Sequence, residues 1–137
     1  MSQTSKKQFT TSTMSYSTHL QNQSLMDMAE SFRMSYGLKS SPSATTIQKS
    51  LIDEEWSEFH EAYHFNSYEE QLKELADLVY VCYQFAANME WDLDEAMKRV
   101  HESNMSKLDE YGKPIYREDG KVLKGPMYQP PNLSDLV

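Results

Sequence analysis

Residues Glu54–His64 read EEWSEFHEAYH, and two metal-binding spacings overlap within them. Taken from Glu54 the stretch is E-E-x-x-E, one half of a magnesium centre made of carboxylates. Taken from His60 it is H-E-x-x-H, the two-histidine helix of a zinc peptidase. The two readings turn different faces of one helix inward, so the helical period decides between them. An α-helix advances about 100° per residue; with Glu55 at zero, Leu51 falls at about −40°, Glu58 at about −60°, Ala62 at about −20° and Phe59 at about +40°. Glu55 and Glu58 therefore lie within the apolar stripe, with Glu54 on its border, at about −100°. His60 and His64 fall at about 140° and 180°, beside Asp53 and Ser57 on the polar face. A zinc helix turns both histidines into a closed cleft with a third ligand, so these two read as solvated side chains. An ionised Glu in an apolar stripe needs a cation to meet it.

Outward from this helix, the chain divides at its punctuation. Asn66 and Ser67 end the helix after His64; Ser67 followed by Glu70 forms a capping box for another, reaching about Met89. Asp92 with Glu95 repeats the device for a fourth helix ending near Glu110. Upstream, SSPSATT marks a turn, with Pro42 suited to the first position of a helix running from about Thr46. Before that turn, Leu25, Met28, Ala29, Phe32 and Tyr36 repeat at helical spacing, and Gly37 is a stop. Downstream, GKPIYREDGKVLKGP places two short strands around an Asp-Gly turn, and the Pro-rich YQPPNLSDLV closes the chain. The fold class is all-α: a four-helix bundle with a short C-terminal β-hairpin and tail. We divide it into a Ser/Thr-rich arm over 1–24, a helical domain over 25–110, and the hairpin and tail over 111–137.

Size and charge narrow the function. At 137 residues the chain holds one modest core, too small for the two-lobed body around most zinc-peptidase helices. A formal charge of −8 offers no basic face for a nucleic-acid backbone. The single cysteine, Cys82, sits in the apolar run LVYVCYQFAA and reads as a buried, inert thiol. With no leader-like segment and no apolar run near the roughly 20 residues of a membrane span, a soluble cytosolic protein with no membrane partner is expected.

The third helix sharpens the carboxylate reading. ELADLVYVCYQFAANME, Glu74–Glu90, is apolar nearly all round, yet Glu74, Asp77, Gln84 and Asn88 fall within about 80° of one another. Taken alone, that stripe is as well explained by a water-facing side. Antiparallel helices joined by a short loop pack side by side, so Glu55 and Glu58 can meet Glu74 and Asp77 at one level of the bundle. Four converging carboxylates repel unless cations balance them, and oxygen-only ligands favour Mg²⁺ or Mn²⁺ over zinc. A pair of such ions about 4 Å apart can activate water and neutralise a phosphoryl group.

With EEWSE at Glu54–Glu58 and ELAD at Glu74–Asp77, the chain resembles the all-α nucleoside triphosphate pyrophosphohydrolases, whose mark is E-E-x-x-E on one helix and E-x-x-D on the next. That group includes MazG, the dimeric dUTPases and phosphoribosyl-ATP pyrophosphohydrolase. NMSK, Asn104–Lys107, is similar to the phosphate-contacting Asn and Lys of MazG-like members, and DGKVLKGPMYQPP looks most like the short single-domain MazG-like proteins of bacteriophages. The resemblance implies metal ligands at Glu55, Glu58, Glu74 and Asp77, with Glu54 an extra ligand or the base that orients water, and two or more Mg²⁺ or Mn²⁺ ions per site. It implies water attacking the α-phosphorus of a nucleoside triphosphate, releasing pyrophosphate and a monophosphate. It further implies a homodimer or dimer of dimers, and, for a phage protein, work in the host cytoplasm on the nucleotide pool, with a purine deoxynucleotide favoured.

Gln84 and Asn88 could read a base edge from the same stripe. Lys121 and Lys124, just after the Asp-Gly turn, could close over the phosphates with Asn104 and Lys107, the latter two taken to share a helical face. Trp56, Tyr63, Phe32 and Tyr36 read as core or interface aromatics. Two rival functions keep the fold: a non-catalytic acidic helical adaptor, and hydrolysis of phosphoribosyl-ATP at the same metal site.

Overall fold

The computed structural model describes residues 22–137; of the expected arm, 1–21 lie outside the described residues. Each helix starts on a side chain that accepts a backbone N–H left over by the first turn. Helix α1, Leu25–Ser35, begins with a reciprocal box in which Ser24 Oγ accepts from Asp27 N and Asp27 Oδ2 accepts from Ser24 N. Helix α2, Pro42–Phe65, starts on Ser41, whose hydroxyl accepts from Ala44 N. Pro42 takes the first helical position, so α2 begins a full turn before the expected Thr46. Helix α3, Tyr68–Asn88, is capped by Ser67 and helix α4, Leu93–Met105, by Asp92. Gly37, at φ 65°, ends α1 as anticipated, with Leu38 N donating to Arg33 O across the turn.

The expected end of α4 near Glu110 is corrected to Met105. Ser106 Oγ donates to Ser103 O at 2.6 Å, satisfying a last-turn carbonyl, and Asp109 Oδ1 accepts from Tyr111 N and Lys113 N in a tight turn. Beyond that turn, β1 (Ile115–Tyr116) and β2 (Val122–Leu123) pair antiparallel, with Ile115 opposite Leu123. Gly120 supplies the positive φ of 86° that the hairpin turn needs. A 3₁₀ turn, Ser134–Leu136, ends the tail.

Helices α2 and α3, joined only by Asn66 and Ser67, form a long antiparallel hairpin and the closest packed pair. Helix α1 lies against α3, and α4 against α1, where Asp94 accepts from Met26 N. The centre is built from Met26, Ala29, Tyr83, Ala86 and Ala87, with Trp91 and Leu93 packed on it; three alanines let the backbones approach closely. Asn88, 4% exposed, ties three segments together there. Its Oδ1 accepts from Arg33 Nη2 and Ser41 N, and its Nδ2 donates to Ser41 O and Thr45 Oγ1, all at 3.2–3.3 Å.

Among the described residues no large side chain is fully enclosed, whereas Phe65, Tyr68, Leu72, Ile47 and Trp56 are mostly exposed. No helix among them is long and apolar enough to cross a membrane.

Candidate metal centre

The two-residue connection between α2 and α3 sets the level at which their side chains meet. Glu58 lies seven residues before Phe65, and Glu74 six residues after Tyr68, so an antiparallel pair brings them opposite each other; Glu55 and Asp77 follow one turn farther along. Glu55, Glu58 and Glu74 each offer a carboxylate oxygen, and these atoms all lie within 4.8 Å of one another. Glu54 is exposed at the edge of this group and Asp77 half-buried beside it.

The five carboxyls are coupled by mutual repulsion. Burial raises the Glu55 carboxyl above its ordinary value, and the charges of Glu58, Asp77, Glu74 and Glu54 push it the same way. Lys73 spans two members of the group, its Nζ 3.0 Å from Glu74 Oε1 and 3.1 Å from Asp77 Oδ2. Hydrogen bonds to those carboxylates hold its ammonium above the ordinary lysine range. One ammonium faces five carboxyls. Buried oxygens therefore remain unmatched: Glu55 Oε2 and Glu74 Oε2 are enclosed and accept no hydrogen bond. Two enclosed anionic oxygens without donors, in a set with neither nitrogen nor sulfur, suit a hard divalent cation such as Mg²⁺ or Mn²⁺.

The remaining candidates fall elsewhere. His60 and His64 are exposed, their rings 4.8 Å apart, and no histidine joins a cluster able to hold a metal among the described residues. Trp56 stands next to Glu55 on the solvent side of α2, its ring 6.3 Å from those of Phe59 and His60. Asn104 is exposed on α4, but Lys107 lies past the helix end, so the two do not share a helical face. The Lys107 carbonyl accepts from Gly125 N. Lys124 holds its ammonium 4.7 Å from the centre of the Tyr128 ring, and Lys121 projects from the exposed hairpin. No hydrogen bond or ion pair joins any of these four to the carboxylates among the described residues.

Gln84 and Asn88 require a correction as base-reading residues. Both are 4% exposed, and their amides serve the scaffold: Gln84 Nε2 donates to Ala29 O, and Asn88 holds the four-bond junction already described. They share the Glu74 stripe, but roughly 15 to 20 Å farther along the helix, where the stripe meets α1 instead of opening on the carboxylates. Lys73 was missed by sequence reasoning, although its position one residue before Glu74 and four before Asp77 is the usual spacing of helical ion pairs.

The family model described as phosphoribosyl-ATP pyrophosphohydrolase matches residues 35–104. The matched span runs from the last residue of α1 to the last turn of α4 and contains all five clustered carboxyls and Lys73. No curated protein matches the chain.

Proposed function

The chain belongs to the phosphoribosyl-ATP pyrophosphohydrolase family, a branch of the all-α nucleoside triphosphate pyrophosphohydrolases, and from that membership we propose that it hydrolyses a nucleoside triphosphate to the monophosphate and pyrophosphate. The family is one of hydrolases acting on pyrophosphate bonds, and among the all-α nucleoside triphosphate pyrophosphohydrolases we favour a MazG-like enzyme of the short bacteriophage type that adjusts a nucleotide pool.

The observation that carries the proposal is the pair of enclosed, donor-free oxygens of Glu55 and Glu74, contributed by two helices. Glu55, Glu58, Glu74 and Asp77 would hold two or more Mg²⁺ or Mn²⁺ ions. Bound there, the ions would neutralise the triphosphate and polarise the phosphoryl group under attack. Glu54, exposed beside the ligands, orients the attacking water by accepting its hydrogen bond. As the water oxygen bonds to the α-phosphorus its proton passes to the Glu54 carboxylate, the bridging oxygen departs with pyrophosphate, and Asn104 with Lys107 meets the charge on the leaving group. The mostly exposed apolar residues of α2 and α3 support a homodimer or dimer of dimers, in which a second chain covers them and brings its own basic residues near the cluster.

Phosphoribosyl-ATP itself is the second reading, favoured by the family match and compatible with the same carboxylates. A panel of ribo- and deoxynucleoside triphosphates with phosphoribosyl-ATP, assayed in Mg²⁺ by ³¹P NMR for pyrophosphate against phosphate, separates the two. Purine deoxynucleotides are expected to lead. Glu58→Gln and Asp77→Asn should each lower kcat by about two orders of magnitude or more with the fold intact. Turnover that persists in EDTA would refute the metal-dependent reading.

A further inference from the structure

Residues 125–135 run antiparallel to α4, bonded to it at both ends and in the middle. Near the helix end, Gly125 N donates to Lys107 O at 2.9 Å. A Cβ at Gly125 would meet Lys107 O at 2.6 Å and Leu108 O at 2.8 Å, so only glycine permits this approach. In the middle, Ser103 Oγ donates to Gln129 O at 2.7 Å, and Gln129 N donates to Ser106 Oγ at 2.9 Å. At the far end, the Arg99 guanidinium donates through Nη1 to Asn132 O at 3.0 Å and through both terminal nitrogens to the Asp135 carboxylate, the Nη2 bond being 3.0 Å. Arg99 Nε also donates to Glu95 Oε1 at 3.0 Å, so one side chain joins two turns of α4 to the tail.

Helix geometry divides the faces of α4. Glu95, Arg99 and Ser103 form one line along the axis, and Asn104 lies about 100° round from Ser103. The tail thus occupies one flank and leaves Asn104 uncovered, while its Gly125 contact fixes the backbone of Lys107 directly.

We propose that the C-terminal tail is a strap whose clasp is Arg99 on Asp135, and that Arg99 is a positioning residue holding the Asn104–Lys107 end of α4 for the substrate's phosphates. The proposal rests on the phosphate role given to those two residues above. At its start α4 is tied to the bundle, where Asp94 accepts from Met26 N, and the strap holds its other end. A bidentate guanidinium–carboxylate pair at the strap's far end fixes direction as well as distance.

The test compares the full-length wild type with Arg99→Gln, Arg99→Lys and Gly125→Ala, by hydrogen exchange without nucleotide and by steady-state kinetics in saturating Mg²⁺. In Arg99→Gln, amides 103–107 and 125–136 should exchange faster, with the α2–α3 pair unchanged. Both kcat and kcat/KM for the triphosphate should fall about fivefold, because the loosened segment carries the charge that meets the departing pyrophosphate. Arg99→Lys, which keeps the charge but loses the fork, should fall between. Gly125→Ala should loosen the same amides from the other end. Unchanged exchange at 103–107 in Arg99→Gln, or faster exchange there with kcat and kcat/KM both unchanged, overturns the proposal. A wild type that turns over no nucleotide refutes the hydrolase reading instead, and the exchange data still decide whether the tail holds α4.

Discussion

Replacing Glu55 by Gln removes one charge from the carboxylate group and leaves its shape almost unaltered. The ligand atoms of Glu55, Glu58 and Glu74 lie no more than 4.8 Å apart. Two unit charges at that separation repel by about 0.9 kcal/mol in water and about 3.5 kcal/mol at an effective dielectric near 20. Glu55 is half-buried, Glu58 is exposed and Lys73 offsets part of the field, so the lower end applies. Metal-free Glu55→Gln should therefore be more stable than the wild type by about 1 to 2 kcal/mol, a rise in Tm of about 5 °C for a chain of this size. In the wild type, the folded Glu55 carboxyl titrates above its ordinary 4.5. The folded state holds that proton longer than the unfolded chain, so stability falls as pH rises through the interval above 4.5. The difference between the two proteins is consequently small below that pH and opens above it. Magnesium reverses the order: at about 100 times its Kd a bound ion adds about 2.7 kcal/mol, and the variant has lost a ligand. Thermal melts followed by circular dichroism, at low salt and across pH in EDTA and in Mg²⁺, give all four quantities. A variant no more stable than wild type in EDTA, together with a wild type indifferent to Mg²⁺ and Mn²⁺, would refute the argument without any activity measurement.

Three further outcomes follow from particular side chains. His60→Ala with His64→Ala should leave nucleotide hydrolysis within about threefold, because both rings are exposed and away from the carboxylates; a folded but inactive double variant in a pyrophosphate-release assay would revive a zinc role. Asn88→Ala should destabilise by about 3 kcal/mol in urea titration, since it strands the buried Arg33 guanidinium and the Ser41 backbone at once. Lys107→Ala should depress both kcat and kcat/KM if its charge meets the departing pyrophosphate, and unchanged kinetics at low salt would remove it from the site.

The helical frame was readable because its signals are local. Ser24, Ser41, Ser67 and Asp92 each cap within three residues of their own position, and Gly37 and Gly120 adopt the backbone that only glycine takes freely. The meeting of Glu55 and Glu58 with Glu74 was also within reach, since it needs only the helical period and a two-residue loop. Gln84 and Asn88 misled for a physical reason: a polar stripe has the same period whether it faces a ligand, water or the carbonyls of another helix. What settles the matter is where α1 crosses α3, a long-range fact absent from either helix alone. The tail's grip on α4 was hidden similarly, because Arg99 and Asp135 are 36 residues apart and exposed charges pair without a sequence period.

The two tryptophans divide the molecule between them in a way that makes it its own spectrometer. Trp91 is packed on the central cluster, its ring 5.9 Å from that of Phe85, so its emission reports the integrity of the fold. Trp56, mostly exposed, is the residue that follows Glu55. A paramagnetic ion held by the carboxylates would quench Trp56 and spare the shielded indole, whereas unfolding would shift the Trp91 emission to the red. A single cuvette would then distinguish occupation of the carboxylates from loss of structure, in the native chain and without a label.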